Sequence, residues 1–169
     1  MTQDGRASPL PPRESFGYNL RMANRLIQRD LSARLVRLGI GMGQWYALRT
    51  LWQGDGLTQI ELAQRSGIAG PAMVVAVRSL LESGLVTRER PEGDRRKYVI
   101  RLTERGWALE REALEAAREA NALALTGVEP ADVAACLRVL HAAQENLSRA
   151  VADEAVPEDA EAAILRSGL

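Results

Sequence analysis

A short segment near the middle of the chain contains closely spaced start and stop signals for two helices. Thr58 and Glu61 form the Thr-x-x-Glu pattern of a capping box, in which each side chain satisfies a backbone N–H at the start of a helix. Gly67 ends that helix, and Pro71 is the residue type favoured at the first position of the next one. Gly84 ends the second helix. Two short helices joined by a tight turn predict a helix-turn-helix.

Two strand-like segments, LVTRER and RKYVIRL, follow directly and are joined by a Pro-Glu-Gly-Asp turn. Their apolar and polar residues alternate, which predicts a β-hairpin. A hairpin after a helix-turn-helix predicts a winged helix, with the hairpin as its wing. The hairpin is strongly basic because of these side chains: Arg88, Arg90, Arg95, Arg96 and Lys97.

Longer helices flank this segment. Apolar residues over 14–38 recur at steps of three and four, and QWYALRTLW indicates a second, largely buried helix. A helix-favouring composition runs from Glu104 to about Leu125, and Pro130 starts another helix with one apolar stripe. The stripes of the first helix and of the last two exceed what one winged helix could cover. We expect a second copy to bury them in a twofold dimer, and a monomeric helical bundle is the alternative.

The predicted fold class is mainly α. It combines a winged helix-turn-helix, a small β-hairpin wing, and long N- and C-terminal helices that form a dimerisation domain. The boundaries are a disordered tail at 1–12, a helical dimerisation region at 13–40 and 104–155, a winged helix at 41–103 and a C-terminal extension at 156–169.

The net charge of zero conceals an uneven distribution along the chain. Residues 1–57 contain eight arginines and four acids, and residues 58–105 contain nine basic residues and six acids. Residues 106–169 contain five arginines and twelve acids. Because charges act over a Debye length of ~10 Å, a neutral total does not exclude a nucleic-acid partner for the basic half.

Several other classes of protein are excluded by composition. The only cysteine, Cys136, rules out an internal disulfide framework, and a single histidine leaves too few ligands for a Cys/His zinc site. The sequence contains no run of eighteen apolar residues, so it does not predict a membrane span. A glycine-rich phosphate loop and a recognisable nucleophile setting are also absent from the sequence. We expect a cytoplasmic protein that is not an enzyme and has no cofactor or metal.

The stretch LTQIELAQRSGI, a Pro-led helix and LLESGLVTRERPEGDRRKYVIRLTERG together resemble the MarR family of bacterial transcription regulators. GIGMGQWYALRTL resembles the region of that family before the motif. The most specific part is the Asp94-Arg95-Arg96 wing followed by IRLTERG. The resemblance implies an obligate dimer, one winged helix per subunit, and repression relieved by small molecules or oxidants.

A winged helix with a basic hairpin predicts binding to double-stranded DNA. Arginines at a hairpin tip can enter the minor groove, where narrow A·T-rich stretches have a strong negative potential. The resemblance assigns this role to Arg96, with Asp94 holding it extended through an ion pair. A solvated hairpin with ion pairs of little consequence is the alternative. Phosphate contacts are predicted from four hairpin residues, Arg88, Arg90, Arg95 and Lys97. Two further phosphate contacts are predicted at the start of the first short helix, from Thr58 and Gln59.

The second short helix is predicted to face DNA with very few hydrogen-bond donors. We place Ala72, Val75, Ala76 and Ser79 on its outward side and Arg78 on the flank. The MarR family, which this chain resembles, usually has Thr or Ser at the position of Ala72 and Arg at the position of Val75. Apolar side chains can pack on thymine methyl groups. Otherwise specificity would depend on the wing, Arg78 and DNA shape.

Members of the MarR family, which this chain resembles, commonly bind aromatic or phenolic acids between the first helices and the winged helix. An aromatic wall with one guanidinium suits a planar carboxylate. Some of the aromatic and apolar residues in this region would equally suit a core. The predicted ligand-binding residues are Phe16, Tyr18, Asn19, Arg21, Met22, Gln44 and Trp45. Cys136 is interpreted as a buried small residue in the dimer interface.

The sequence therefore predicts a homodimeric, sequence-specific transcriptional repressor that a small aromatic-acid effector releases from DNA. Its operator would be near-palindromic, with half-sites about one helical turn, ~34 Å, apart. The alternative is a winged-helix scaffold for protein interactions that does not read DNA specifically.

Overall fold

A computed structural model describes residues 11–91 and 97–153 of the 169-residue chain. The predicted fold class is confirmed, because helices predominate and a small antiparallel sheet accompanies them. The elements are α1 (Phe16–Val36), α2 (Met42–Leu51), β1 (Leu57–Thr58), α3 (Gln59–Ser66), α4 (Gly70–Glu82), β2 (Val86–Glu89), β3 (Val99–Leu102), α5 (Glu104–Ala108), α6 (Glu110–Ala124) and α7 (Pro130–Asp153).

The chain divides into two compact units between Ala124 and Leu125. The first unit contains every element up to α6, and the second contains α7. None of the described helices combines the length and the apolar character that crossing a bilayer requires.

The core of the first unit lies where α2, α3, α4 and the sheet meet. Trp45 and Trp52 of this core contact each other edge to face, with ring centroids 6.1 Å apart. Burial of such large side chains is the main favourable term in folding, at roughly 1.5–3 kcal/mol for each aliphatic one. The largest fully buried side chains are Trp45, Leu35, Ile40, Leu48, Leu51, Leu62, Met73, Leu80 and Ile100.

The predicted helix signals at the helix-turn-helix are present in the structure. Thr58 Oγ1 accepts from Glu61 N at 3.2 Å, and Thr58 N donates to Glu61 Oε2 at 2.8 Å, which completes the capping box. The Glu61 carboxylate accepts hydrogen bonds from the Thr58 hydroxyl and from Thr58 N, and these two bonds lower the pKa of Glu61 below its ordinary value of 4.5. Gly67 follows α3 with a left-handed φ of 69°, the backbone conformation that glycine adopts without strain.

The sheet has three antiparallel strands in the order β1-β3-β2, and its first strand was not predicted. Leu57 and Arg88 lie on either side of Ile100, one from each neighbouring strand. β1 is only two residues long, so it has no alternation that a sequence pattern could reveal.

The helix predicted from Glu104 to about Leu125 is instead two helices that meet at Leu109. Gly106 packs so closely on the backbone of Leu85 that a Cβ at this position would overlap the carbonyl oxygen. Its own carbonyl accepts from the Trp52 indole Nε1 at 3.1 Å, which competes with the regular helical bond from residue 110. The helix therefore breaks one turn after its start.

The long helices expose apolar surface at several places. Within the first unit, Ala113, Ala116 and Ala120 are buried on α6, and Arg34 of α1 bonds to Glu119 of that helix. The first turns of α1 and much of α7 are not covered in the protomer. Exposed apolar residues of these two helices are Phe16, Leu20, Leu26, Val36, Leu137, Val139, Leu147 and Val151. Cys136 is also exposed in the protomer, and its burial in a dimer interface stays a prediction.

Candidate nucleic-acid interface

The exposed face of α4 differs from the predicted one at three positions, Val74, Ala76 and Ser79. Ala72, Val75 and Arg78 are exposed as expected, whereas Ala76 is 4% exposed and belongs to the core. α2 packs on α4 at this point, and a Cβ on Gly43 would lie 3.7 Å from that of Ala76. Val74, which sequence reasoning missed, is 42% exposed. The open face of the helix is therefore even more apolar than predicted.

Ser79 and Gln44 also differ from their predicted roles in DNA and ligand binding, because they are hydrogen-bonded to each other. Gln44 Nε2 donates to Ser79 Oγ at 3.0 Å, and Gln44 Oε1 accepts from Gly41 N at 2.8 Å. Gln44 is buried, so its amide needs these partners. This side chain connects the start of α2 to α4 and does not line an open ligand site. The hydroxyl of Ser79 faces α2 and not the surrounding solvent.

The start of α3 has a distinct electrostatic arrangement. The Glu61 carboxylate accepts from Thr58 N and from Thr58 Oγ1, the latter at 2.7 Å, so it fills part of the predicted anion position. The first amides of a helix, here those of Gln59 and Ile60, have no intrahelical acceptor and remain suited to a phosphate. After the hydrogen bonds from Thr58, the charges of Arg65 and Lys97 lower the pKa of Glu61 further.

An open groove of about 660 Å³ lies between α3 and α4. Ile60 is 72% exposed at one end of it, and Val74 lines the other. Together with Val75, which is 65% exposed, they give the helix-turn-helix an apolar outer surface. The lining residues are Gln59, Ile60, Ala63, Gln64, Gly67, Ile68, Ala69, Gly70 and Val74.

One face of the hairpin has its charges neutralised. Arg101 Nε lies 3.2 Å from Glu89 Oε2, and Arg101 Nη1 lies 3.7 Å from Asp55 Oδ2. Thr87 Oγ1 donates to Glu89 Oε1 at 3.0 Å, and Asp55 Oδ1 accepts from Leu102 N at 2.9 Å. This network joins the hairpin to the loop after α2, and its two carboxylates leave no uncompensated positive charge at Arg101.

The opposite face of the hairpin carries Arg88 and Arg90, and neither has a carboxylate partner among the ion pairs of the described residues. Both guanidiniums lie against the ring of Tyr98, at 4.3 and 4.9 Å from its centroid. Sequence reasoning missed Tyr98, although the hairpin register could have placed it opposite Arg90. The predicted tip residues Asp94, Arg95 and Arg96 lie outside the described residues.

The residues predicted to bind a ligand are not gathered around one cavity. Trp45 is 1% exposed and belongs to the core, whereas Phe16 is 52% exposed on the first turn of α1. Asn19 Nδ2 donates to the carbonyl oxygens of residues 12, 13 and 15 and so holds the turn before α1. Arg21 lies 5.5 Å from the ring centroid of Tyr18, and this exposed pair is the part of the set that does come together.

A polar contact between α1 and α2 was also missed by the sequence analysis. Gln28 Nε2 donates to Tyr46 Oη at 3.0 Å. Met22, from the predicted set, is partly exposed on the same helix as Gln28. The signal was present, since a tyrosine directly follows the buried Trp45 and so projects from a neighbouring side of the helix. The described residues contain no cluster of His, Cys, Asp or Glu that could hold a metal ion.

Comparison with known proteins gives a consistent result. The model of the MarR family matches residues 40–98. The HTH-type transcriptional repressor Rv2887 of Mycobacterium tuberculosis is 33% identical over 110 residues, which are 65% of this chain and 79% of the relative. A MarR transcriptional regulator from Methanosarcina mazei has a TM-score of 0.72 at 28% identity, with 79% of this chain and 96% of the other covered.

Crystal structures of Rv2887 with salicylic acid and with DNA have TM-scores of 0.62 and 0.61 to this chain. Their identities are 30% and 29%, and each alignment covers 75% of this chain. It also covers 94% and 95% of the respective Rv2887 chains. The match therefore extends over nearly all of the relative's structure.

Proposed function

The chain belongs to the MarR family of transcriptional regulators, which are DNA-binding proteins and not enzymes, and from this premise we propose that it is a dimeric, ligand-responsive repressor. The single observation that supports the proposal best is the basic hairpin face beside an exposed α4. Arg88 and Arg90 are directed away from the neutralised Arg101 network. A cationic wing next to an exposed helix fits a groove and its bordering phosphates.

The wing would supply most of the electrostatic attraction. Arg88 and Arg90 contact phosphates in this proposal, as do Lys97 and, on the basis of the sequence alone, Arg95. Arg96 enters the minor groove with Asp94 as its partner, a role that also comes from the sequence resemblance. Affinity for DNA should fall steeply as salt rises, because each neutralised phosphate releases counterions.

The apolar face of α4 would read thymine. Val75 is the most exposed large aliphatic residue of that helix, and the methyl-bearing edge of thymine is the apolar feature of the major groove. Ala72 and Val74 extend this surface, and Arg78 provides the flanking donor for guanine or phosphate. We therefore expect A·T-rich half-sites with few hydrogen bonds from α4 to bases.

A matched base series tests this reading. Thymines facing α4 in the operator are replaced by uracil, which removes the methyl group and keeps base pairing. Each replacement should weaken binding by about 1 kcal/mol, close to the value of one buried methylene. As a control, the same series is measured with Val75→Ala, for which the effect should shrink. Equal affinity of the wild-type protein for thymine and uracil sites would contradict the apolar readout.

Dimerisation would proceed through the terminal helices. Leu137, Leu147 and Val151 leave apolar surface on α7 in the protomer, and Phe16 and Leu20 do so on α1. A second copy would remove this surface from water and set two winged helices at the spacing of one DNA turn. Sedimentation at micromolar concentration tests this point, and a monomer would contradict it.

The effector would be a small aromatic acid. The structure of Rv2887 with salicylic acid gives the chemical class for a relative. In this chain Arg21 and Tyr18 provide a cation beside an aromatic ring, which suits a planar carboxylate. Among the other predicted residues near this pair in sequence, Phe16 and Asn19 are exposed and Met22 is partly exposed.

The decisive experiment is a gel shift on the DNA upstream of the protein's own gene. Binding should be specific, abolished by rising salt, and reversed by millimolar salicylate. The competing function is a protein-interaction scaffold, which the apolar groove beside Ile60 favours. A scaffold would retard all DNA weakly and equally, and salicylate would change nothing.

A further inference from the structure

Tyr98 contacts both arginines of the basic hairpin face. Its ring centroid lies 4.3 Å from Arg88 Cζ and 4.9 Å from Arg90 Cζ. Its hydroxyl is 2.6 Å from Arg90 Nη2, which donates a hydrogen bond to it. One side chain therefore interacts in three separate ways with two guanidinium groups.

The hairpin register explains this convergence. Arg88 is paired with Ile100 and Glu89 with Val99, so the next pair along the ladder is Arg90 with Tyr98. Side chains two residues apart on one strand share a face, which brings Arg88 diagonally across from Tyr98. On the other face Arg101 is bound between Glu89 and Asp55. Carboxylates thus hold one arginine of the hairpin, whereas an uncharged ring holds the other two.

The chemical consequence concerns the free edges of the guanidiniums. An aromatic face attracts a cation without neutralising its charge. A guanidinium has five N–H donors in its plane, and stacking on a ring uses none of them. Among the described residues, Arg90 gives one donor to the tyrosine hydroxyl, and its other donors have no acceptor there. Both arginines are therefore ordered and still able to bind an anion.

From this geometry we propose that Tyr98 is a positioning residue for DNA binding. It holds Arg88 and Arg90 side by side in spite of their mutual repulsion, so that both engage phosphates of the same DNA backbone. The proposal rests on the proposed function, since it takes phosphate as the partner of these arginines. Fixing a side chain before binding avoids an ordering cost of about two- to tenfold in affinity for each long side chain.

The test uses salt-dependent DNA binding of the full-length protein. Tyr98→Leu removes the ring and the hydroxyl, and Tyr98→Phe keeps the ring. Tyr98→Thr, a second residue type suited to strands, checks that the result does not depend on one replacement. Trp107→Leu removes an equally exposed ring outside the hairpin and is the matched control. Arg88→Gln/Arg90→Gln is the reference for a hairpin face without its two guanidinium groups.

We expect Tyr98→Leu and Tyr98→Thr to weaken operator binding about fivefold, a change of about 1 kcal/mol. The slope of log affinity against log salt should flatten by about 0.9 for each phosphate that the variant no longer neutralises. Tyr98→Phe should retain most of the affinity, and Trp107→Leu should match the wild type. In the Arg88→Gln/Arg90→Gln background, Tyr98→Leu should have no further effect, because the groups that it positions are gone.

A purely structural role for Tyr98 would lower the fraction of active protein and leave the salt slope unchanged. That outcome overturns the proposal, and so does a further weakening by Tyr98→Leu in the arginine-free background. If Tyr98→Leu has no effect while Arg88→Gln/Arg90→Gln weakens binding, positioning is refuted and the proposed function stands. If the arginine variant itself binds DNA normally, the proposed use of the hairpin fails, and the role of Tyr98 fails with it.

Discussion

Gly106→Ala sets two opposing effects against each other at one atom. Alanine is favoured over glycine inside a helix by about 1 kcal/mol, so helix propensity alone predicts a gain in stability. The structure predicts a decrease, because the new Cβ would overlap the carbonyl oxygen of Leu85. That oxygen belongs to the backbone and accepts from Thr103 N at 3.1 Å, so it cannot rotate away as a side chain could.

The magnitude follows from the groups that must move. Overpacking a tightly packed site typically costs about 1–3 kcal/mol. Displacing α5 also weakens the bond from Thr103 N to Leu85 O and the bond from Trp52 Nε1 to Gly106 O, each contributing about 0.5–1.5 kcal/mol. These penalties exceed the gain in propensity, and we expect the free energy of unfolding to fall by about 2–4 kcal/mol.

Urea unfolding of Gly106→Ala and of a matched control measures this difference. Gly17 also lies in a helix, α1, but a Cβ there would have no neighbour within 4 Å. Gly17→Ala should therefore leave stability unchanged or raise it, by at most about 1 kcal/mol. The reasoning is refuted if Gly106→Ala is as stable as the wild type, since the close approach to Leu85 would then have no energetic consequence.

Two further outcomes follow from the polar contacts. Gln44→Leu removes the bonds to Gly41 N and Ser79 Oγ, and we expect a decrease of about 1–3 kcal/mol in the free energy of urea unfolding without any change in salicylate affinity. Retained stability, or an abolished response to salicylate, would contradict the core position of Gln44. Glu61→Gln should lower the thermal midpoint near neutral pH, because a depressed pKa means that the ionised carboxylate stabilises the fold. This difference from the wild type should persist above the ordinary pKa of 4.5 and disappear as pH falls through the lowered folded-state value. A difference that does not depend on pH would argue against the charged capping box.

Local signals in the sequence were sufficient for most of the fold. The capping box of Thr58 and Glu61 acts over three residues, and Pro71 and Gly84 act at single positions. Each of these helix signals can therefore be recognised in the sequence without knowledge of the tertiary structure. The break at Leu109 was not predictable in this way. It arises where Trp52, distant in sequence, bonds to the carbonyl of Gly106.

The candidate site shows the same division. Exposure of Ala72, Val75 and Arg78 follows from the helical period once the buried stripe is known. Ala76 lies at the edge of that stripe, and its burial depends on how closely α2 approaches through Gly43. Such an approach is a tertiary property that the period of one helix does not contain.

The predicted ligand set was the least reliable part. An aromatic residue serves equally well in a core and in the wall of a pocket, so composition could not separate Trp45 from Tyr18. Gln44 illustrates the same difficulty for polar side chains. Its amide could have faced a ligand, but a serine on α4 takes up that hydrogen-bonding capacity.

The junction at Thr58 has a mechanical consequence. This residue ends β1, where it is paired with Val99 of the hairpin, and it also caps α3. Because Thr58 belongs to both, the hairpin and the helix-turn-helix are directly connected, and a change in the orientation of one would strain the contact with the other. A signal that weakens DNA binding would therefore have to move the hairpin and the helix-turn-helix together as one rigid body. Movement of the hairpin alone would break the capping box of α3.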